Sequence, residues 1–479
     1  MSDSLKKKTA TGLIWSSLER FSVQGVQFLV MIIMARILTP YDYGIIGMLT
    51  IFLQISQSLI DSGFSQALIR KQNRTEVDNF TVFYFNIVVS IVLYITLFIS
   101  APWIAKFYHT PILIPVMRVI CLGIVINSFV VVQRALFTIK IDFKTQAKAS
   151  LFAAILSGIV GIGMAYKGYG VWSLVAQQLV NYGGIALLLW YFSKWRPKWV
   201  YSWKSFKELF SFGSKLMISG LLNTTYNNIY LIVIGRLFTA TNLGHYTRAH
   251  QFADFPSSNI TGILQRVTYP VLCTIQNDDK RLSDVYRKLL KLSAYIIFPM
   301  MCGLAAVAHP FIILLLGEKW EFCSIILQIL CFSMMWYPIH AINLNLLQVK
   351  GRSDLFLKLE IIKKIIGIAI LCITIPIGLI AMCYGQIVSS IIALIINTYY
   401  TGKLIQVGFI KQMKDISGTL VLSLLMFITV IISIPYISDS LIKLIFGTTL
   451  GAIFFIGISK IMKFQEFNYI VSIIKKNNG

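Results

Sequence analysis

The sequence predicts an all-α polytopic membrane protein of about fourteen transmembrane helices. Three observations lead there. Only 13% of the 479 residues are charged, and 57% are hydrophobic, whereas a soluble domain carries roughly 25% charged residues. The apolar residues fall into runs of membrane-spanning length. Lys and Arg gather in alternate gaps between those runs.

A span takes about 20 mostly apolar residues. Such runs lie near 10–37, 43–69, 79–105, 112–139, 146–166, 170–193, 208–236, 243–269, 288–315, 321–349, 356–376, 378–402, 415–436 and 439–461. The eighth is the most polar, with His245, Arg248, His250, Asp254 and Pro256. The first follows Lys6-Lys7-Lys8, as a signal peptide would, but Glu19 and Arg20 interrupt it. It also runs to Leu38 without a small-residue cleavage site, so it reads as a retained span.

Lys and Arg concentrate in cytoplasmic loops. The N-terminus, every second loop and the C-terminus are basic here. The clusters are Arg70-Lys71-Arg74, Lys140 to Lys148, Lys194 to Lys207, Lys280 to Lys291, Lys350 to Lys358, Lys403 to Lys414 and Lys460 to Lys476. The opposite loops hold only Arg36, Lys106, Lys167, Arg236 and Lys319. This alternation supports the span count and puts both termini in the cytoplasm. The net charge of +24 is therefore topology, and it forms no basic face on a soluble module for nucleic acid. The outward loops are short, with no inserted domain and no acidic catalytic motif, so no enzyme is expected. The seven cysteines are scattered and odd in number, which excludes a complete disulfide framework. The five histidines lack metal-ligand spacing, and neither metal nor cofactor is expected.

The chain contains a repeat. Residues 35–44, Ala-Arg-Ile-Leu-Thr-Pro-Tyr-Asp-Tyr-Gly, match residues 235–244, Gly-Arg-Leu-Phe-Thr-Ala-Thr-Asn-Leu-Gly, with Arg, Thr and Gly identical. The matched hairpins, spans 1–2 and 7–8, lie six spans apart and so point the same way. That is a parallel repeat of the kind found in two-lobed transporters, whose substrate site sits between the halves.

Ionisable groups at the bilayer centre cost about 2.5–3.5 kcal/mol each on insertion scales, so they face a cavity or a partner. Span 1 carries Ser16, Arg20, Gln24 and Gln27 on one helical face. Span 2 carries Gln54, Gln57, Ser58, Asp61 and Ser65. Span 7 carries Lys215, Ser219, Asn223, Tyr226 and Tyr230, and span 8 carries His250, Asp254, Ser257, Ser258 and Thr261. His245 and Arg248 lie on another side of span 8, and span 10 carries Trp336, His340 and Asn343. The strongest stripes fall in the repeated hairpins, which points to a wet central cavity; for any one stripe, hydrogen-bonded helix packing is the competing reading. The cations Arg20, Lys215 and Arg248 suit phosphate. Amides, hydroxyls and aromatics, among them Gln24, Gln27, Gln57, Asn223 and Tyr226, suit sugars. Asp61 and Asp254 could take up H⁺ or Na⁺, with His250 four residues from Asp254; alternatively, they pair with nearby Arg or His. Glu360, Lys363 and Lys364 read as an interfacial charge cluster.

Gly12-Leu13-Ile14-Trp15, the Ala35 to Gly44 motif and Leu243-Gly244-His245-Tyr246-Thr247-Arg248-Ala249 resemble polysaccharide-transport proteins. These belong to the multidrug/oligosaccharidyl-lipid/polysaccharide export superfamily. The resemblance covers nearly the whole chain and implies two six-helix lobes in a V shape, here 1–200 and 201–405, then two further spans and a cytoplasmic tail in 406–479. It implies flipping of undecaprenyl-diphosphate-linked oligosaccharide across the bacterial inner membrane by alternating access, coupled to H⁺ or Na⁺. It leaves room for contact with polysaccharide assembly machinery. His245 departs from the family, which more typically has a second aromatic there. Two alternatives remain at this level: a multidrug or cation antiporter of the same superfamily, which would favour acidic lining residues, and a non-transporting membrane assembly subunit.

Overall fold

The structure, a computed structural model, describes residues 22–61 and 63–477, without the side chains of 215, 267 and 473–477. Arg20, expected on the span 1 stripe, therefore lies outside the described residues, and Lys215 is described by its backbone alone. The chain divides into two compact units, Met1–Gly244 and His245–Gly479.

Every regular element among the described residues is a helix. In order they form α1 (Ser22–Ile37), α2 (Pro40–Asp61), α3 (Phe64–Arg70), α4 (Glu76–Phe107), α5 (Leu113–Ile120), α6 (Leu122–Ser128), α7 (Val131–Ile139), α8 (Phe143–Tyr166), α9 (Val171–Phe192), α10 (Trp203–Asn227) and α11 (Ile229–Leu237). There follow α12 (Ala240–Thr274), α13 (Asp279–Ala306), α14 (Ala308–Leu316), α15 (Glu321–Met334), α16 (Tyr337–Val349), α17 (Ser353–Thr374), α18 (Leu379–Ile405), α19 (Phe409–Ser433), α20 (Ser440–Ile461) and α21 (Gln465–Asn477).

Among the described residues, ten helices or helix runs are long and apolar enough to cross a membrane. The four expected spans outside the ten are α1, described only from Ser22, α10 with α11, α12 and α17. Three of these carry the polar stripes, and the fourth carries Glu360, Lys363 and Lys364. Polar residues that lower the mean hydropathy of a helix are also what marks it as facing something other than lipid.

Short polar residues start the helices by accepting the orphan N–H groups of the first turn. Asp142 Oδ1 accepts from Thr145 N at 3.1 Å, Asp278 Oδ1 from Arg281 N at 3.0 Å, and Asp439 Oδ1 from Leu441 N and Ile442 N at 2.9 Å each. Thr75 and Asp78 form a reciprocal capping box on α4. Asp78 is buried and also binds Lys71 at 3.1 Å, and Lys71 reaches Glu208 on α10 at 3.0 Å. Burial of the Lys71 ammonium opposes its charge, but its bonds to Glu208 and Asp78 outweigh that and hold its pKa above the ordinary lysine value. One lysine thus fastens the starts of α4 and α10. Beside it an apolar cluster of Phe64, Leu68, Val82, Phe83 and Leu209 packs α3, α4 and α10 together.

In the second unit, α19 is held to its neighbours by a buried amide network. Gln412 Nε2 donates to Asn343 Oδ1, Thr401 Oγ1 and the Val407 carbonyl, each at 3.0 Å. Asn343 Nδ2 returns a bond to Gln412 Oε1 at 3.1 Å. Asn343, expected on a polar stripe, is therefore packing glue. His340 is likewise absorbed, between Ser390 Oγ at 3.0 Å and Asn397 Nδ2 at 3.3 Å.

Candidate functional site

The first unit brings part of the span 2 stripe into one hydrogen-bonded constellation. Gln57 Nε2 donates to Asp61 Oδ2 at 2.9 Å, and Asn127 Nδ2 on α6 donates to Gln57 Oε1 at 2.7 Å. Gln57 is thereby oriented at both ends, its amide turned so that Asp61 receives an N–H. Arg134 on α7 is close enough to act on the Asp61 charge. One turn earlier, Gln54 Oε1 accepts from Asn228 Nδ2 at 2.7 Å, and Asn228 also caps the end of α10 by donating to the Thr224 carbonyl at 2.8 Å. Two amide bridges therefore tie α2 to α6 and to the α10–α11 break. Helix α10 comes close because Gly220 lies against Ser58, whose Oγ would be 3.1 Å from a Cβ there.

The α2–α3 break has a backbone cause. Gly63 has φ +68°, a conformation that glycine adopts without strain. A Cβ there would also meet the Gly213 backbone of α10 at 2.9 Å. The polar stripe of α2 ends at this break, next to Asp61.

Other expected site residues are more dispersed. Gln24 is half-buried on α1 with its Oε1 lacking a hydrogen-bond partner among the described residues, while Gln27 and Asn223 are exposed. Tyr226 is half-buried on α10. In the second unit, His250 lies beside the Tyr246 ring at 5.8 Å and within electrostatic reach of Asp254. Tyr246 Oη accepts from Gln386 Nε2 on α18 at 2.9 Å. Tyr337 on α16 lies within electrostatic reach of both Asp254 and Glu360. Arg248 acts on Cys323. His245 is buried edge-on to Trp320 and Phe322, at 5.6 and 5.5 Å. It sits where an aromatic would and packs as one. Lys363 pairs with Glu360 in a half-buried ion pair, so the Glu360 carboxylate is matched within the cluster.

Asn127, Arg134, Asn228, Gln386 and Tyr337 were not singled out from sequence. Asn127 stands in an apolar run with only Ser128 beside it, whereas Asn228 has Thr224, whose carbonyl it bonds, four residues before it, and was passed over.

The repeat has a structural counterpart. Thr39 and Asp42 cap α2: Asp42 Oδ2 accepts from Thr39 N at 2.9 Å and from Thr39 Oγ1 at 2.7 Å. At α12 the hydroxyl of Thr239 accepts from Asn242 N at 3.1 Å. The two capped turns lie on each other reciprocally. A Cβ on Gly44 would sit 1.7 Å from the Ala240 carbonyl oxygen, and one on Gly244 would sit 1.8 Å from that of Pro40. Residues 40 and 44 thus pair with 244 and 240, an exchange of equivalent positions at an offset of 200, as a two-fold contact requires.

A multi-pass helical bundle with amide-bridged polar groups set inside its spans has the make-up of a membrane transporter. The chain belongs to the family described as polysaccharide biosynthesis protein, whose model matches residues 33–325. It is 27% identical over 355 residues to the teichuronic acid biosynthesis protein TuaB of Bacillus subtilis, covering 74% of this chain and 73% of that one. It is 25% identical over 397 residues to the lipopolysaccharide biosynthesis protein WzxC of Escherichia coli, covering 82% and 80%. In fold it is similar to the lipid II flippase MurJ in an inward closed conformation, with TM-score 0.75 and 14% identity over 94% of this chain and 98% of that one. An inward-facing multidrug resistance transporter of the MATE family superposes at TM-score 0.63 and 15% identity, covering 80% and 95%.

Proposed function

We propose that the chain flips undecaprenyl-diphosphate-linked oligosaccharide across the bacterial inner membrane for surface polysaccharide assembly. It does so by alternating access, through fourteen spans with both termini cytoplasmic, in lobes 1–200 and 201–405 followed by two added spans. The observation that carries this reading is the polar constellation of Gln54, Gln57, Asp61, Asn127 and Asn228 within the spans of a polysaccharide biosynthesis protein. Amides and hydroxyls hydrogen-bond sugar rings. Arg20 and Lys215 supply the charge a diphosphate needs when the path faces the cytoplasm, and Arg248 acts nearer the outer mouth. The names of TuaB and WzxC support a glycan substrate.

The test is inactivation followed by analysis of lipid-linked intermediates, whose oligosaccharide should accumulate on the cytoplasmic leaflet. Arg20→Ala or Lys215→Ala should give the same accumulation at unchanged protein abundance. If folded protein falls in proportion to export, these cations are structural and the binding role is lost.

Coupling to H⁺ or Na⁺ is assigned to Asp61, with Asp254 and His250 as the next pair. A carboxylate whose charge differs between two access states biases them differently, which any coupled antiport requires. Asp61→Asn keeps the shape and can still accept the Gln57 N–H. The variant should bind lipid-linked glycan normally and stop responding to collapse of the ion gradient. A retained response would make Asp61 a structural acceptor only.

A further inference from the structure

A groove of about 690 Å³ opens between α17, the end of α18 and the start of α19. It lies within the second unit. Its walls are aliphatic, with Leu359, Ile362, Ile395 and Ile396. Its mouth has a different chemistry. Lys358 lines it, and the Lys403 ammonium lies 4.6 Å from the centre of the Tyr399 ring, which also lines it. Lys411 stands on the first turn of α19 and donates to the Gln406 carbonyl at 3.4 Å, with no carboxylate partner among the described residues.

The carboxylates of these three helices are already engaged. Asp354 is held by Arg352 at 2.8 Å, Glu360 by Lys363, and Asp415 by Arg287 at 2.6 Å. Among the described residues, Lys358 has no ionic partner. The mouth is therefore a cationic rim over an apolar slot. Tyrosines gather at the membrane–water interface, so Tyr399 and Tyr400 set this rim at headgroup level. The basic-loop pattern puts it on the cytoplasmic side.

We propose that the groove binds an anionic phospholipid of the cytoplasmic leaflet. One acyl chain lies among Ile362, Ile395 and Ile396, and the phosphate is held by Lys358 and Lys403. Basic pockets between transmembrane helices on the cytoplasmic side are a known form of lipid headgroup site. A zwitterionic lipid would fill the slot equally well and gain less at the rim, so the site selects by charge. The proposal does not depend on what the chain transports.

The test uses the purified full chain in detergent, with phosphatidylglycerol or phosphatidylcholine added at equal concentration and retained lipid counted by native mass spectrometry. The wild type should retain phosphatidylglycerol several-fold better. Each lysine near a membrane surface contributes about fivefold in affinity for anionic lipid, so Lys358→Gln alone should reduce the preference measurably, and Lys358→Gln with Lys403→Gln should abolish it. Ile395→Trp, which fills the slot, should lower retention of both lipids. An undiminished preference in the folded double variant overturns the proposal. So does an equal loss on changing Lys140 and Lys144 to Gln, which would make the effect one of general surface charge. Displacement of the lipid by inorganic phosphate alone would reduce the site to an anion site, and preferential retention of a polyprenyl phosphate would reassign it to the transported carrier; either result overturns it as well.

Discussion

Gly44→Ala and Gly244→Ala should each abolish glycan export while leaving protein in the membrane. Both glycines lie in the first unit, at the reciprocal crossing of the capped starts of α2 and α12. The added methyl group would fall 1.7 or 1.8 Å from a backbone oxygen. No side chain can rotate away there, so the crossing itself must part. Small residues let backbones approach in membranes where lipid supplies no hydrophobic drive to pack helices, and this contact uses the smallest. Overpacking costs ~1–3 kcal/mol, which is roughly 5- to 150-fold in the population of the closed contact. On the proposed topology the crossing is at the outer ends of spans 1, 2, 7 and 8. In the proposed alternating-access cycle, a variant whose crossing cannot close stays open on the outer side and loses one of the two states. Cys substituted for Gln57 should then react with a membrane-impermeant maleimide added outside, having been protected before. Gly163→Ala is the control, because nothing lies within 4 Å of its added carbon. Wild-type export and continued protection in a folded Gly44→Ala protein would reduce the crossing to dispensable packing.

That crossing shows what the sequence could and could not reveal. The repeat was legible because Arg, Thr and Gly recur at identical spacing in two hairpins. The contact between the two copies was not, since nothing in one dimension says that Gly44 meets residue 240. The polar face of α2 was likewise legible, because Gln57 and Asp61 sit four residues apart and the structure bonds them. Their third partner, Asn127, was hidden as a lone amide between Ile and Ser on a short helix. Asn343 and His340 show the opposite limit. Helical spacing put them on a stripe, but helical spacing marks a face without saying what the face meets, and here it meets α18 and α19. Helix α21 escaped because its polar residues interrupt any apolar run of spanning length. A charge pair distant in sequence is hidden for the same reason, and one such pair sets the second large effect.

Arg287→Ala should destabilise the second unit more than removal of any neighbouring loop cation. From sequence Arg287 is one of five basic residues in a cytoplasmic cluster. In the structure it makes a bidentate pair with Asp415 across α13 and α19, with Nε to Oδ2 and Nη2 to Oδ1 both at 2.6 Å. The Asp415 side chain is only 4% exposed. Without the guanidinium it keeps only Lys291, at 3.6 Å. Breaking a fully buried pair costs ~3–5 kcal/mol because a charge is left unmatched. Arg287 is 33% exposed, so water takes over part of the loss, and about 2 kcal/mol is expected. Most of that is the cost of an abandoned carboxylate rather than the worth of the pair. Asp415→Asn should therefore restore much of the stability lost in Arg287→Ala, and Lys288→Ala, at an exposed position, should cost little. Thermal unfolding in detergent, followed by the fraction remaining monodisperse, measures all three. If the double variant is no more stable than Arg287→Ala, the penalty comes from lost packing of the arginine stem between α13 and α19, and the stranded charge is not its cause.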